Sequence, residues 1–160
     1  MDVFFEQVLQ RFDLGAAPVC CDRYGCGHIN ETYLVVTEAG ARYILQKVNS
    51  TVFKNTDGLM RNIEAVTSHL RTKTDDSRRV LQLIKTRDGK PYLTCEDGGC
   101  WRVYVFVEDS VCLQKPETPA DFYESAVAFG QFQQMLQDFP AHTWIVSSFL
   151  PVASSRALIV

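Results

Sequence analysis

The chain has 160 residues, of which 46% are hydrophobic and 22% are charged, and its formal net charge at pH 7 is −3. Such values are typical of a globular chain that forms one domain or part of a larger one, and they lack the basic footprint of a nucleic-acid-binding protein. The sequence has no apolar run of membrane-spanning length, and its N-terminus has no basic start of a secretory signal. We therefore expect a cytoplasmic chain without nucleic-acid or membrane partners.

The cysteines are six, an even number, but no export signal places them in an oxidising compartment. Disulfides are uncommon in reducing compartments, so we expect reduced structural thiols. Zinc is conceivable, but the sequence contains no Cys-x-x-Cys, and His28, His69 and His142 lack the spacing of metal ligands. The prediction is a chain without a metal site of its own.

The first half of the chain reads as a helix, three strands and a second helix. Apolar residues at helical spacing predict an amphipathic helix over residues 2–13. Strands near 19–24, 31–36 and 41–48 are predicted to form an antiparallel meander joined by tight turns. The next helix, over 56–70, has an apolar face and can be capped by Thr56 or Asp57.

The second half adds strands and a long helix. Residues 80–85 and 92–94 flank a hairpin turn at Asp88-Gly89, and a strand follows over 100–107. A capped helix then runs from about 118 to 138, and residues 143–160 form a tail without a clear period. The predicted fold is α+β, a five-stranded antiparallel sheet with an inserted helix, plus an N-terminal helix and a long C-terminal helix.

The connection between the first two strands contains the glycines Gly25 and Gly27. Glycine lets backbone N–H groups approach a bulky anion and permits positive φ, and successive N–H groups in such a turn suit phosphate. Asn30 can also adopt the left-handed conformation and carries an amide donor. The alternative to a phosphate-binding loop is an ordinary glycine-rich hairpin, and two glycines alone favour this alternative.

Several strings, taken together and in this order, carry a family resemblance. They are Gly27-His28-Ile29-Asn30-Glu31-Thr32-Tyr33, Tyr43-Ile44-Leu45-Gln46-Lys47-Val48-Asn49, Met60-Arg61-Asn62-Ile63 with Val66-Thr67 and His69-Leu70, and Phe129-Gly130-Gln131-Phe132. Residues 1–142 resemble the N-terminal lobe of the protein-kinase-like fold. The strings are similar to those of the aminoglycoside phosphotransferase family, and most of all to its N-acetylhexosamine 1-kinase type.

The resemblance implies that ATP binds under the glycine loop. The implied loop contacts are Gly25, Gly27, His28, Ile29, Asn30 and Thr32, with Asn30 in place of the third glycine of G-x-G-x-x-G. It also implies a hinge at residues 106–108, where backbone groups of Phe106, Val107 and Glu108 read adenine.

Kinases place a lysine on the third strand and pair it with a glutamate on the next helix. Gln46 and Lys47 lie on opposite faces of that strand, so only one of them can point at the nucleotide. An overlay on the kinase pattern V-A-I-K puts Gln46 at the lysine position. Charge favours Lys47, with Glu64 as its partner.

The resemblance further implies Mg²⁺ and, in the full-length family, a sugar or amino-sugar acceptor. The catalytic aspartate of the His-x-Asp pattern and the Mg²⁺ ligands belong to a second lobe, and no acid stands two residues after any histidine here. We expect residues 1–108 to be a kinase-like N-lobe, 109–142 the hinge and first helix of a missing C-lobe, and 143–160 an atypical tail. Such a truncated chain has no catalytic residue and is predicted to be inactive by itself. The alternatives are a non-catalytic nucleotide-binding or interaction module and a plain α+β domain without a nucleotide site.

Overall fold

The computed structural model describes residues 1–25, 27, 29–110 and 115–140. Its elements in chain order are α1 (Val3–Leu9), β1 (Pro18–Arg23), β2 (Glu31–Thr37), β3 (Arg42–Val48), α2 (Thr56–Arg71), β4 (Leu83–Ile84), β5 (Leu93–Thr94), β6 (Cys100–Val105) and α3 (Pro119–Met135). His28, Cys26, Cys112 and the predicted tail lie outside the described residues.

The strands form one antiparallel sheet in the order β1-β2-β3-β6-β4, and β5 also pairs with β6. The described sheet has six strands, so the predicted number of five is wrong. Each of the six overlaps one of the predicted ranges, and β4 and β5 lie end to end along β6, opposite Val103–Tyr104 and Cys100–Trp101. The predicted turn at Asp88-Gly89 is confirmed, with φ of 82° at Gly89, but the strands on either side of it pair with β6.

The first face of the sheet packs against α1 around one cluster. Its buried members are Val8, Leu9, Phe12, Leu14, Val35, Leu45, Trp101 and Val103. The helix itself is shorter than predicted. It ends at Leu9 because Phe12 forms a β-bridge with Thr86, and the extended backbone of that bridge cannot continue a helix.

The second face of the sheet packs against α2, through contacts of Val48 and Cys100 with Leu59. The N-cap of α2 is Asn55, whose Oδ1 accepts from the Gly58 N–H at 2.9 Å. The predicted caps Thr56 and Asp57 are therefore wrong, since both residues already lie inside the first turn. Helix α3 begins with a capping box between Thr118 and Asp121, as its sequence predicts.

The described cysteines Cys20, Cys21, Cys95 and Cys100 are free thiols. In the part of the chain that the structure describes, no helix is long and apolar enough to cross a membrane.

Candidate functional site

The glycine loop stands open at one end of the sheet. The Tyr24 N–H donates to the Thr32 carbonyl at 2.9 Å and closes the base of the loop. Above it, Gly25, Gly27 and Ile29 are exposed. Gly25 has φ of 71°, and a Cβ there would meet nothing within 4 Å, so the position requires glycine for its backbone conformation and not for space. The loop is thus accessible to a ligand.

Asn30 ties the end of this loop to the end of β3. Its Oδ1 accepts from the Asn49 N–H at 2.9 Å. Among the described non-glycine residues, a positive φ is found at Asp109. The backbone of Asn30 therefore does not take the left-handed conformation that its residue type permits. The side chain therefore holds the loop in place from the β3 side.

A polar row crosses the second face of the sheet, the face that α2 covers. Thr32, Gln46 and Arg102 are direct neighbours in β2, β3 and β6. Gln46 Nε2 donates to Thr32 Oγ1 at 3.0 Å. Arg102 donates to Gln46 Oε1 from Nε at 3.0 Å and from Nη2 at 2.5 Å. Arg102 Nη1 lies 3.8 Å from Met60 Sδ of α2, which places the row beneath that helix.

Lys47 points to the opposite face. Its Nζ lies 5.5 Å from the centroid of the Trp101 ring, a cation–π arrangement in the α1 cluster. Glu64 Oε1 is instead 3.4 Å from Lys85 Nζ. The predicted pair of Lys47 with Glu64 is therefore wrong. The cause is the register of β3 on β6, which sets Lys47 opposite Trp101 and leaves Gln46 on the α2 face.

Arg102 was not predicted from the sequence. It is half-buried, and its desolvation lowers the pKa of the guanidinium below its ordinary value of 12.5. Burial also raises the pKa of Tyr104, two residues further along the same face. The available signal was a cation inside an otherwise apolar strand, Cys100-Trp101-Arg102-Val103-Tyr104-Val105.

The predicted hinge begins at the end of β6. The Phe106 N–H donates to the Arg42 carbonyl at 3.1 Å, and the Arg42 guanidinium lies 4.8 Å from the centroid of the Phe106 ring. Arg42 Nε also donates to Glu108 Oε1 at 3.0 Å. The ring centroids of Tyr24 and Phe106 lie 5.7 Å apart in an edge-to-face arrangement, so the base of the glycine loop contacts the hinge directly.

Some backbone groups of the hinge are already engaged. The Phe106 N–H bonds to β3, and the Val107 carbonyl accepts from Ser110 Oγ at 2.7 Å. Adenine recognition through the Phe106 N–H would require the release of that group, whereas the Val107 carbonyl has a second lone pair that can accept another hydrogen bond. The roles predicted for residues 106–108 stay predictions.

No protein-family model matches the chain. Among solved structures, an aminoglycoside phosphotransferase from Alicyclobacillus acidocaldarius subsp. acidocaldarius DSM 446 is similar with a TM-score of 0.60 and 15% identity over 88% of this chain. A spectinomycin phosphotransferase, solved in complex with ADP and spectinomycin, is similar with a TM-score of 0.53 and 10% identity over 94% of this chain. The chain shares the fold of these phosphotransferases.

The match covers 37% of the first protein and 39% of the second, so this chain spans well under half of either. The predicted α+β fold of a kinase-like N-terminal lobe is confirmed by the sheet, the inserted helix and these neighbours. Identities of 15% and 10% show the fold alone.

Proposed function

We propose that this chain is the ATP-binding lobe of a small-molecule phosphotransferase whose acceptor is a sugar or amino sugar. The observation that carries the proposal is the joint placement of three features. The open glycine loop and the polar row share Thr32, and the loop base meets the hinge through Tyr24 and Phe106. The fold neighbour solved with ADP and spectinomycin supports a nucleotide and an amino-sugar-like acceptor.

In this proposal the backbone of Gly25 and Gly27 faces the phosphates, because exposed N–H groups of a turn form a concave anion site. His28 and Ile29 complete the loop, and Asn30 fixes it to the end of β3. Thr32 and Gln46 supply polar side chains at the start of the row. This division of roles leaves adenine to residues 106–108.

The chemistry needs groups that we propose lie outside this chain. Bound Mg²⁺ neutralises charge on the phosphates during phosphoryl transfer. The described residues hold no group of three or more His, Cys, Asp or Glu side chains that could ligate a metal. We propose residues 1–108 as the N-lobe and 109–142 as the hinge and first helix of a C-lobe that supplies the catalytic aspartate and the metal ligands. The chain by itself then binds and orients nucleotide without turnover.

The test is a titration of the chain with Mg·ATP while its melting temperature is followed. A ligand that binds only the folded state stabilises it by about 2.7 kcal/mol at a hundred times its Kd. We expect a concentration-dependent rise with Mg·ATP and Mg·ADP. Absence of any rise at millimolar nucleotide would refute the proposal.

A matched pair of glycine variants makes the test specific to the loop, with Gly25 inside the loop and Gly40 outside it. Gly25 has φ of 71° and Gly40 has φ of 77°. A Cβ added to either residue would meet nothing within 4 Å. Gly25→Ala and Gly40→Ala should therefore destabilise the fold to similar extents. Only Gly25→Ala should weaken nucleotide binding, and equal effects of the two on binding would contradict a phosphate role for the loop.

One observation favours the alternative of a non-catalytic interaction module. Phe122, Tyr123 and Phe129 of α3 are exposed by 68%, 66% and 48%, and exposed aromatic groups often mark contact surfaces.

Sugar-dependent release of ADP by the isolated chain at high concentration would show that catalysis needs no further lobe. A chain that binds Mg·ATP without such release agrees with the proposal.

A further inference from the structure

The α2 face of the sheet contains a guanidinium without a carboxylate to balance it. Within the described residues, Arg102 has hydrogen-bond contacts with Gln46 Oε1 and Met60 Sδ and no ion pair. The acids nearest in sequence to this contact on α2 are Asp57 and Glu64. The Asp57 carboxylate accepts a hydrogen bond from the Tyr92 hydroxyl, and the Glu64 carboxylate pairs with Lys85. A half-buried charge without a counter-charge loses part of its hydration, and a bound anion would compensate for that loss.

The contacts of Arg102 leave donors to spare. A guanidinium has five N–H groups in one plane. Three contacts, one each from Nε, Nη1 and Nη2, go to an amide oxygen and a thioether sulfur, both of them neutral acceptors. The planar arrangement of the remaining donors matches the oxygens of a phosphate, which a guanidinium can bind through two parallel bonds.

Gln46 fixes the direction of this side chain. Its Oε1 receives two of the Arg102 N–H groups, and its Nε2 donates to Thr32 at the end of the glycine loop. The amide thus links the guanidinium of β6 to the loop by a continuous chain of hydrogen bonds. Gln46 acts here as a positioning residue, in the place where the kinase pattern has its lysine.

We infer that Arg102 is the phosphate-binding cation of this site, so that the charge has moved from β3 to the neighbouring strand β6 and its ligand is the diphosphate or triphosphate of a nucleotide. The inference rests on the proposed function of the glycine loop. The other cations nearby fit less well. Lys47 lies on the opposite face over Trp101, and Lys85 is exposed and already paired with Glu64.

The test compares adenosine, Mg·ADP and Mg·ATP as ligands of the wild-type chain and of Arg102→Met. In the wild type, affinity should rise from adenosine to the phosphorylated ligands. Arg102→Met should weaken Mg·ATP binding by about tenfold to a hundredfold, the range expected for lost hydrogen bonds to a charged group. Its adenosine affinity should stay unchanged. The matched controls Lys47→Met and Lys85→Met each remove one cation and should leave the whole series as in the wild type.

Two further variants keep the test decisive if Arg102→Met does not fold. Arg102→Lys keeps the charge but loses the planar fork, so it should retain part of the preference for Mg·ATP over adenosine, and more of it than Arg102→Met. Gln46→Glu is nearly isosteric and places a carboxylate on the guanidinium, so it should fold, keep its adenosine affinity and lose that preference. Loss of the preference in Arg102→Lys, or its survival in Gln46→Glu, would count against the inference.

The outcomes separate this inference from the function on which it rests. If the wild type prefers Mg·ATP but Arg102→Met does so equally, Arg102 is structural and the inference is overturned while the nucleotide site stands. The inference is likewise overturned if Lys47→Met alone abolishes the preference. If the wild type binds none of the three ligands, the proposed function and the inference fall together.

Discussion

The thiols of Cys21 and Cys100 show how burial controls the chemistry of single residues. Burial raises the pKa of Cys21 to about 11 and that of Cys100 to about 12, and both groups are therefore neutral at physiological pH. Since the thiolate is the reactive form, we expect both to resist alkylation. Iodoacetamide at pH 8, followed by mass spectrometry of the labelled peptides, should modify them far more slowly in the folded chain than in urea. Equal rates in the two conditions would contradict the burial of these groups.

The same shifts predict the direction of the pH dependence. A group whose folded pKa lies above its ordinary value of 9.0 stabilises the fold below pH 9, and that stability is lost as the pH rises through the folded value. The free energy of unfolding should therefore fall between pH 9 and about 12. Cys100→Ala should show a smaller fall over this range than the wild type. An identical fall in both would assign the effect to other groups, such as Tyr92, whose pKa burial raises to about 12.

Gln46 and Lys47 mark a limit of sequence-based prediction at the residue scale. Alternation along a strand predicts correctly that the two side chains lie on opposite faces. It does not say which face α2 covers, because that depends on the register of β3 with β6 and on the docking of α1, which are contacts distant in sequence. Arg102 was missed for the same reason, since only the pairing of β6 brings it beside Gln46.

At the scale of elements, Asn55 is the N-cap of α2, and this capping role can be tested. Asn55→Ala removes the acceptor for the Gly58 N–H and should cost about 1 kcal/mol of stability. Thr56→Ala is the matched control, because Thr56 lies inside the helix and its hydroxyl donates to the Phe53 carbonyl. Its effect should stay within about 0.5 kcal/mol. Both stability changes can be measured from the midpoints of urea unfolding, provided that the slope of the unfolding free energy against urea concentration stays constant. Equal losses of stability in the two variants would show that Asn55 is not the cap.

The strands divide into those that local patterns predict and those that they do not. β1, β2 and β3 match their predicted ranges closely, because each lies beside a tight turn that the sequence marks with glycine. β4 is confined to two residues, whereas the predicted strand began at Val80. Val80 instead packs with Val66 and Leu70 of α2. β5 lies within the predicted range 92–94, but it pairs with β6, which the turn at Asp88-Gly89 does not indicate.

At the scale of the whole molecule, α3 is unevenly covered. Its C-terminal part packs through Phe132, Met135 and Leu136 on the cluster that α2 and Val80 form. Its N-terminal part leaves Phe122, Ala126 and Phe129 exposed on one helical face. In the proposed full-length protein, this face would contact the second lobe.

The isolated chain should therefore associate through this face, because contiguous exposed apolar groups drive proteins together. Light scattering after size exclusion should give an average mass that rises with protein concentration. The double variant Phe122→Gln and Phe129→Gln should reduce the association, since glutamine keeps the helix and removes the apolar surface. Val3→Gln, at a position on α1 that is 67% exposed, is the control and should leave the association unchanged. A constant monomer mass for the wild type, or an equal effect of Val3→Gln, would show that the aromatic face of α3 does not drive contact between chains.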